Sequence, residues 1–404
     1  MKIIRAVRLL GVVLTIAVLT TSAPARASGS APATYDLAAG ANAAAASQPV
    51  NVKARELGTV LSKANMLLDP ALAAVATGKR ISYVSSDPDG QHIIVTGAVL
   101  TPRKQTSPTH DVIAWAHGTE GLADGCAPSR FATLSSDPTF PSYAATVKSF
   151  LDRGWTVAAT DYAGLGSPGP HPYLIGNSEG RAIIDSVRAA RQLNGSLSDD
   201  WVAIGHSQGG QGALFAGEQA QNYGRGLQLR GVVGMAAASN LDQLAEAIVG
   251  TPGQGYLVMA LSGLAALDPS VHPDQLLAPP ALSRVAVLET GCFLAIIGGY
   301  ADFTAEELLV GGALPPNIVA KFAINNPGQR RGSAPILLLH GEADETVPAF
   351  VADDLLAAYC ANGTLASVQK YPDATHDSIL IDSSADALDW IKNRLDAKAA
   401  SSDC

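Results

Sequence analysis

Trp201-Val202-Ala203-Ile204-Gly205-His206-Ser207-Gln208-Gly209-Gly210-Gln211-Gly212-Ala213-Leu214-Phe215-Ala216 reads as a short buried strand, a sharp turn on Ser207 and the opening of a helix. Small residues on both sides of Ser207 suit a turn in which strand and helix pack closely and Oγ projects into a cleft. The backbone N–H of Gln208 is then placed to stabilise an oxyanion. In a chain with 39 glycines, the bare Gly-x-Ser-x-Gly pattern arises readily by chance. Its weight comes from the strand before it, the helix after it, and what the rest of the chain supplies.

Around this stretch, short apolar runs alternate with helix-prone segments. Val112–Ala116, Trp155–Thr160, Leu229–Ala236, Pro335–Leu339 and Ala366–Tyr371 read as further strands. Tyr143–Asp152, Glu179–Leu193, Gln208–Gln221 and Ala349–Tyr359 read as helices. The alternation predicts an α/β fold, a mostly parallel central sheet with helices on both faces. Ahead of it, Ile81–Ser85 and His92–Leu100 are expected to pair antiparallel across Asp87-Pro88-Asp89-Gly90. Between about Ser239 and Arg331 the strands disappear. Leu241–Val249, Tyr256–Ala266 and Ala305–Val310 are apolar helical segments with Pro- and Gly-rich joints, too long a stretch for one crossover. This predicts a helical cap or lid over 239–331, inserted into a core of residues 54–238 and 332–404.

The chain has 404 residues, 47% hydrophobic and 16% charged, which suits one large core plus an insertion. Lys2, Arg5 and Arg8 precede an apolar run from Leu9 to Leu19, and Ala25-Arg26-Ala27 follows as a cleavage site. Residues 1–27 therefore read as a signal peptide and 28–53, rich in Ala, Ser, Gly and Pro, as a flexible leader. No later apolar run has the length of a membrane span. Removing residues 1–27 takes away Lys2, Arg5, Arg8 and Arg26 and no acid, so the net charge moves from −9 to −13. Such a surface is a poor match for nucleic acid or an anionic membrane. The expectation is a secreted monomer whose partner is a small ester or lipid, with lipid-interface contact open. Cys126, Cys292, Cys360 and Cys404 suit an oxidising compartment, and three pairings are open to them.

A serine hydroxyl needs a general base, and the base needs a group to orient it. Pro335–Leu339 runs into His340-Gly341-Glu342-Ala343-Asp344-Glu345, where Asp344 is the preferred acid over Glu342 and Glu345. Ala366–Tyr371 runs into Pro372-Asp373-Ala374-Thr375-His376-Asp377, where His376 supplies the base. The order Ser207, Asp344, His376 is that of the α/β-hydrolase triad. His206, adjacent to the serine, is the rival base, but its side chain should point away from that of Ser207 and serve packing. His117 and His340 read as structural, and no histidine has partners at metal-ligand spacing, so no metal and no cofactor are expected. A second oxyanion donor normally comes from a His-Gly loop after an early strand. Val112–Ala116 leads into His117-Gly118-Thr119-Glu120-Gly121; the N–H of Thr119 is the preferred partner of Gln208, with Gly118 and Glu120 as alternatives. Asp161-Tyr162-Ala163-Gly164-Leu165-Gly166 lacks the spacing of a dinucleotide loop and is read as a loop at the active-site mouth.

Taken together, Ala116-His117-Gly118-Thr119, Cys126-Ala127-Pro128-Ser129, Thr160–Gly164, Gly176-Asn177-Ser178-Glu179-Gly180-Arg181-Ala182, the serine turn, and His340-Gly341 with Asp344 give a chain that resembles the secretory lipase family of α/β-hydrolases from about residue 54 onward. His206 and Gln208 stand where fungal members carry Tyr and Gly. The resemblance implies a helical cap with a lid and hydrolysis of carboxylic esters, including acylglycerols. It also implies the disulfides Cys126–Cys292, tying the oxyanion-side loop to the cap, and Cys360–Cys404. A secreted peptidase or an acyltransferase would use the same triad, and a non-enzymatic binding protein would have no need of it.

Overall fold

The structure is a computed structural model that describes residues 52, 55–104, 110–138 and 140–404. The signal peptide expected over 1–27, and all but Val52 of the leader described as 28–53, lie outside the described residues.

Nine strands form one sheet among the described residues: β1 (Val60–Met66), β2 (Ala76–Ser86), β3 (His92–Pro102), β4 (Val112–Ala116), β5 (Thr156–Ala163), β6 (Asp200–His206), β7 (Gln228–Met235), β8 (Ile336–Gly341) and β9 (Ala366–Tyr371). Their spatial order is β1-β2-β3-β5-β4-β6-β7-β8-β9. The expected hairpin forms, with Ser86 opposite His92 and Gly90 at φ 85° in its turn. β1, β2, β3 and β5 pair antiparallel, whereas every pairing from β5 through β4 to β9 is parallel. Parallel strands must be covered on both faces, which accounts for their unbroken apolar runs: all five residues of β4 and all six of β8 are buried.

Two apolar layers flank the sheet. Helices Gly176–Leu193, Gln208–Tyr223 and Phe350–Ala361 bury Ile183, Leu214 and Leu355 on one face. Helices Ser142–Asp152 and Ser384–Leu395 bury Phe150 and Ile391 on the other. The chain between β7 and β8 contains only helices and turns, and packs a third apolar cluster from residues such as Leu257, Leu261, Ile296 and Phe322.

Ahead of the hairpin, the sequence reading missed two elements. β1 and helix Pro70–Val75 carry no apolar period, because β1 is an edge strand whose middle residues, Ser62 to Asn65, are exposed. One segment needs correction. Asp161, Tyr162 and Ala163, expected in a mouth loop, are the buried end of β5, where Asp161 accepts the Ser129 N–H at 2.8 Å and the Thr96 hydroxyl at 2.7 Å.

β4 crosses to β5 on one side and the chain then returns to β6 on the other, so the topological switch lies at β4 and β6. In open parallel sheets the cleft beyond the carboxyl ends of the strands at such a switch is where ligands bind. Thr119 follows β4, Ser207 follows β6, Asp344 follows β8 and His376 follows β9. At the far edge, residues 402–404 run along β9. Asp403 N–H donates to Ala366 O at 2.9 Å and its carboxylate accepts the Val368 N–H at 2.8 Å.

Candidate active site

Ser207 occupies a backbone conformation that side-chain-bearing residues avoid, φ 56° and ψ −118°. Three backbone bonds hold it there. Its N–H donates to Met235 O at 2.9 Å, and its carbonyl accepts from Gln211 and Ala238 at 3.1 Å each. The flanking glycines are required by contact: a Cβ on Gly205 would lie 2.1 Å from the Gly209 oxygen, and one on Gly209 would lie 2.0 Å from the Ala116 oxygen. The helix can therefore start close against β4 and β6, with the Gln208 N–H at its first turn.

His376 sits in the loop after β9, 9% exposed. Its Nδ1–H donates to Asp344 Oδ2 at 2.8 Å. The other oxygen, Oδ1, accepts the N–H groups of Thr346 and Val347 at 2.8 Å each. His340 Nε2–H donates to Val347 O at 2.8 Å and stands 3.4 Å from Asp344 Oδ2. Burial pushes the Asp344 carboxyl upward, but the bonds from His340 and His376 outweigh it and hold the group well below the usual carboxylate range. With Nδ1 donating, Nε2 of His376 carries the lone pair, and it is buried without a hydrogen-bond partner. No bond closes between that nitrogen and Ser207 Oγ, a contact that commonly tightens only when substrate binds. Glu342 and Glu345 are exposed, as expected.

His206 is not available as a base. Its Nδ1 meets the Tyr143 hydroxyl at 3.2 Å and its Nε2 meets the carbonyl of His376 at 2.7 Å. Burial, together with the neighbouring His376 ring, lowers its pKa to about 3. Tyr143 also accepts the Gly118 N–H at 2.9 Å, which removes Gly118 from the set of oxyanion donors. A chain of contacts thus runs from the loop after β4, through Tyr143 and His206, to the backbone of His376. Among the described residues, the N–H groups of Gln208 and Thr119 have no protein acceptor, and the Thr119 hydroxyl meets that of Tyr173 at 2.7 Å.

Ser207 lies on the wall between two cavities. One is apolar, with Leu241, Leu244, Ile248, Leu257 and Val347 in its lining. The other is more polar and is lined by Thr119, Glu120, Ser135, Asp137, His376 and Asp377. Burial pushes Glu120 up to about 7 against the hydrogen bonds from Ser136. Phe293 and the 59% exposed Leu294, from helix Phe293–Tyr300, line the second cavity. Both disulfides are formed as the resemblance implied. Cys126–Cys292 joins the segment after β4 to the helical stretch, reinforced by Phe293 N–H donating to Glu120 O at 2.9 Å, and Cys360–Cys404 holds residues 402–404 near β9. Sequence reasoning passed over Tyr143, gave His340 only a structural part, and gave no part to Glu179, whose carboxyl accepts the Gln208 side-chain amide at 2.8 Å.

A family-wide profile for secretory lipases matches residues 141–403, well over half of the chain. The secreted triacylglycerol lipase LIP4 of Malassezia globosa is 25% identical over 373 residues, spanning 87% of this chain and 80% of that one. Lipase A of Arthroderma benhamiae is 23% identical and spans 88% and 80%. Among solved structures, Candida antarctica lipase A in its closed state superposes with a TM-score of 0.77 at 19% identity, covering 88% of this chain and 86% of that one. The rice cell wall degrading esterase LipA of Xanthomonas oryzae follows at 0.64 and 20%, covering 83% of this chain and 100% of that one. The likenesses to lipase A and LipA establish the α/β-hydrolase fold. A serine turn at the centre of such a sheet, with the profile running from residue 141 through the His376 loop, places this chain in the secretory lipase family.

Proposed function

We propose that the protein is a secreted serine hydrolase that cleaves carboxylic esters of the acylglycerol type, with Ser207 as nucleophile, His376 as general base and acid, and Asp344 as the orienting carboxylate. The observation that carries this reading is the His376 ring. Its Nδ1–H is committed to Asp344, while its bare Nε2 is buried in the cavity that Ser207 also lines. Ser207 Oγ forms a bond to the ester carbonyl carbon as Nε2 takes its proton, and the carbonyl oxygen becomes an oxyanion bound by the N–H groups of Gln208 and Thr119. When that intermediate collapses, the alkoxide leaves with the proton from Nε2. Water then gives a proton to Nε2 as its oxygen bonds to the acyl carbon, and collapse of this second oxyanion breaks the bond to Ser207 Oγ, which takes the proton back from Nε2 as the acid leaves. The kinship to proteins named as secreted triacylglycerol lipases supports ester chemistry over amide cleavage.

The two cavities divide the substrate. The apolar one suits an acyl chain. The polar one suits the alcohol, whose hydroxyls find acceptors in Asp137 and Asp377. We propose residues 239–331 as the cap that encloses the acyl side, and the exposed Leu294 beside the polar cavity as the point of lipid-interface contact. All the proposed catalytic groups come from one chain, so the reaction as written requires no second subunit. Residues 1–27 direct export in this reading.

Ser207→Ala should lower hydrolysis of p-nitrophenyl esters by about a thousandfold or more and abolish labelling by a fluorophosphonate probe. Full turnover by the Ser207→Ala protein would overturn the assignment.

A further inference from the structure

Glu179 takes no part in the reaction above, yet it is 1% exposed in the first turn of helix Gly176–Leu193 and wired to the nucleophile's neighbour. Its Oε1 accepts two hydrogens, one from the Gln208 side-chain amide at 2.8 Å and one from the Leu174 N–H at 3.1 Å. The Gln208 amide nitrogen also meets His171 Nε2 at 3.2 Å, and His171 is itself anchored by Nδ1–H donating to Ala163 O at 2.7 Å. Gln208 is thereby held at both hydrogens of its side chain, and it is the residue whose backbone N–H is assigned to the oxyanion. Leu174 sits at φ 59° and follows Tyr173, whose hydroxyl meets the Thr119 hydroxyl at 2.7 Å. One carboxyl oxygen therefore anchors two connections, each ending at one of the two proposed oxyanion donors.

Packing alone gives no reason for an acid here. Burying a carboxyl is costly, and Glu179 Oε2 has no partner at all. Burial pushes the group up to about 8, so near neutral pH it is mostly an uncharged acceptor. An ionised carboxylate in this position would oppose the negative charge that develops on the substrate oxygen, whereas the neutral acid holds the donors without that field.

We propose that Glu179 is a positioning residue for ester hydrolysis, fixing Gln208 and the Tyr173–Leu174 turn so that the N–H groups of Gln208 and Thr119 face the same oxyanion. This rests on the serine-hydrolase reading of Ser207. The test compares the full chain with E179Q, E179L, Q208M and the double variant E179L/Q208M. Substrate is p-nitrophenyl butyrate, active sites are counted by fluorophosphonate labelling, and folding is followed by Tm. E179L and Q208M should each lower kcat about tenfold or more with KM changed less than about threefold, the pattern of a lost transition-state contact. The double variant should be no worse than the more damaged single one. E179Q, which keeps a neutral acceptor, should stay within about threefold of the parent kcat. If E179L does not fold, Q208M and E179Q carry the decision. Parent-like kcat in Q208M, an additive double variant, or a loss in E179Q as large as in Q208M overturns the positioning role. Failure of the parent protein to label at Ser207 overturns the serine reading instead.

Discussion

The hydroxyl of Tyr143 is shared between two parts of the proposed active site. It accepts the Gly118 N–H and contacts His206 Nδ1, while His206 reaches the His376 carbonyl with its other nitrogen. Tyr143→Phe keeps the ring, which packs edge-on against Trp115, and deletes only the link. Two buried polar groups then lose their partner, and each unmatched group costs about 1–3 kcal/mol. The expected outcome is a lower denaturant midpoint with an unchanged m-value, together with a fall in kcat as the His376 loop and the loop after β4 lose their common tether. Unchanged stability would mean that water satisfies both groups. At this scale, legibility follows sequence distance. The proposed triad of Ser207, Asp344 and His376 could be named from the sequence because each residue stands just past a recognisable strand. Tyr143 and Glu179 could not, since their meaning lies in contacts 25, 63 and 29 residues away along the chain. No local pattern marks such a partner.

The segment after β4 and the helices between β7 and β8 are locked together by Cys126–Cys292, which closes a loop of 166 residues, and by the Glu120–Phe293 backbone bond. Chain-entropy arguments assign this disulfide up to about 5 kcal/mol, and up to about 4 kcal/mol to Cys360–Cys404, which closes 44. Their functional weights should differ more than that. The C126S/C292S variant should lose both Tm and ester turnover, because Thr119 and Glu120 are displaced with the loop. The C360S/C404S variant should lose Tm while keeping kcat within about twofold. Calorimetry paired with turnover on one ester separates the two, and equal loss of kcat in both variants would contradict this division. The elements themselves were legible where one physical rule dominates. β4 lies where its apolar run puts it, because a strand buried on both faces leaves little choice of residue. β1 escaped because an exposed edge strand needs no such run. β5 ran three residues past its expected end because Asp161 is buried against hydroxyl and N–H donors, a polar residue in a strand that only tertiary contacts explain.

Over the whole molecule, buried acids and buried bases oppose each other. Burial raises Glu120 and Glu218 to about 7 and Glu179 to about 8, from an ordinary 4.5. It lowers His117 and His206 to about 3 and His171 to about 4, from an ordinary 6.5. Between pH 4.5 and 6.5 the folded chain holds protons on the three acids that the unfolded chain has released. The unfolded chain meanwhile holds protons on the three histidines, so the two effects oppose each other, with the buried and likewise raised Asp161 and Asp185 adding to the acid side. Above pH 6.5 the histidine term is spent, the folded state binds more protons, and stability falls as pH rises toward 8, by about 1 kcal/mol per unit. Below pH 4.5 the acid term is spent and stability falls as the histidines and then Asp344 are forced to protonate. A Tm profile should therefore decline as pH rises above about 6.5 and again as it falls below about 4.5; a maximum above pH 8 would contradict it. These balances depend on burial and had no trace in the sequence, whereas the helix-rich stretch between two strands did. The two rims of the sheet carry a further consequence. β1 leaves Lys63 in solvent, and the other rim is occupied by residues 402–404 on β9. An uncovered β9 would present unpaired N–H and C=O groups to the strand of a neighbouring molecule. Cys360–Cys404 holds the covering residues against Ala366 and Val368, so reducing it would free that part of the rim to pair with another strand.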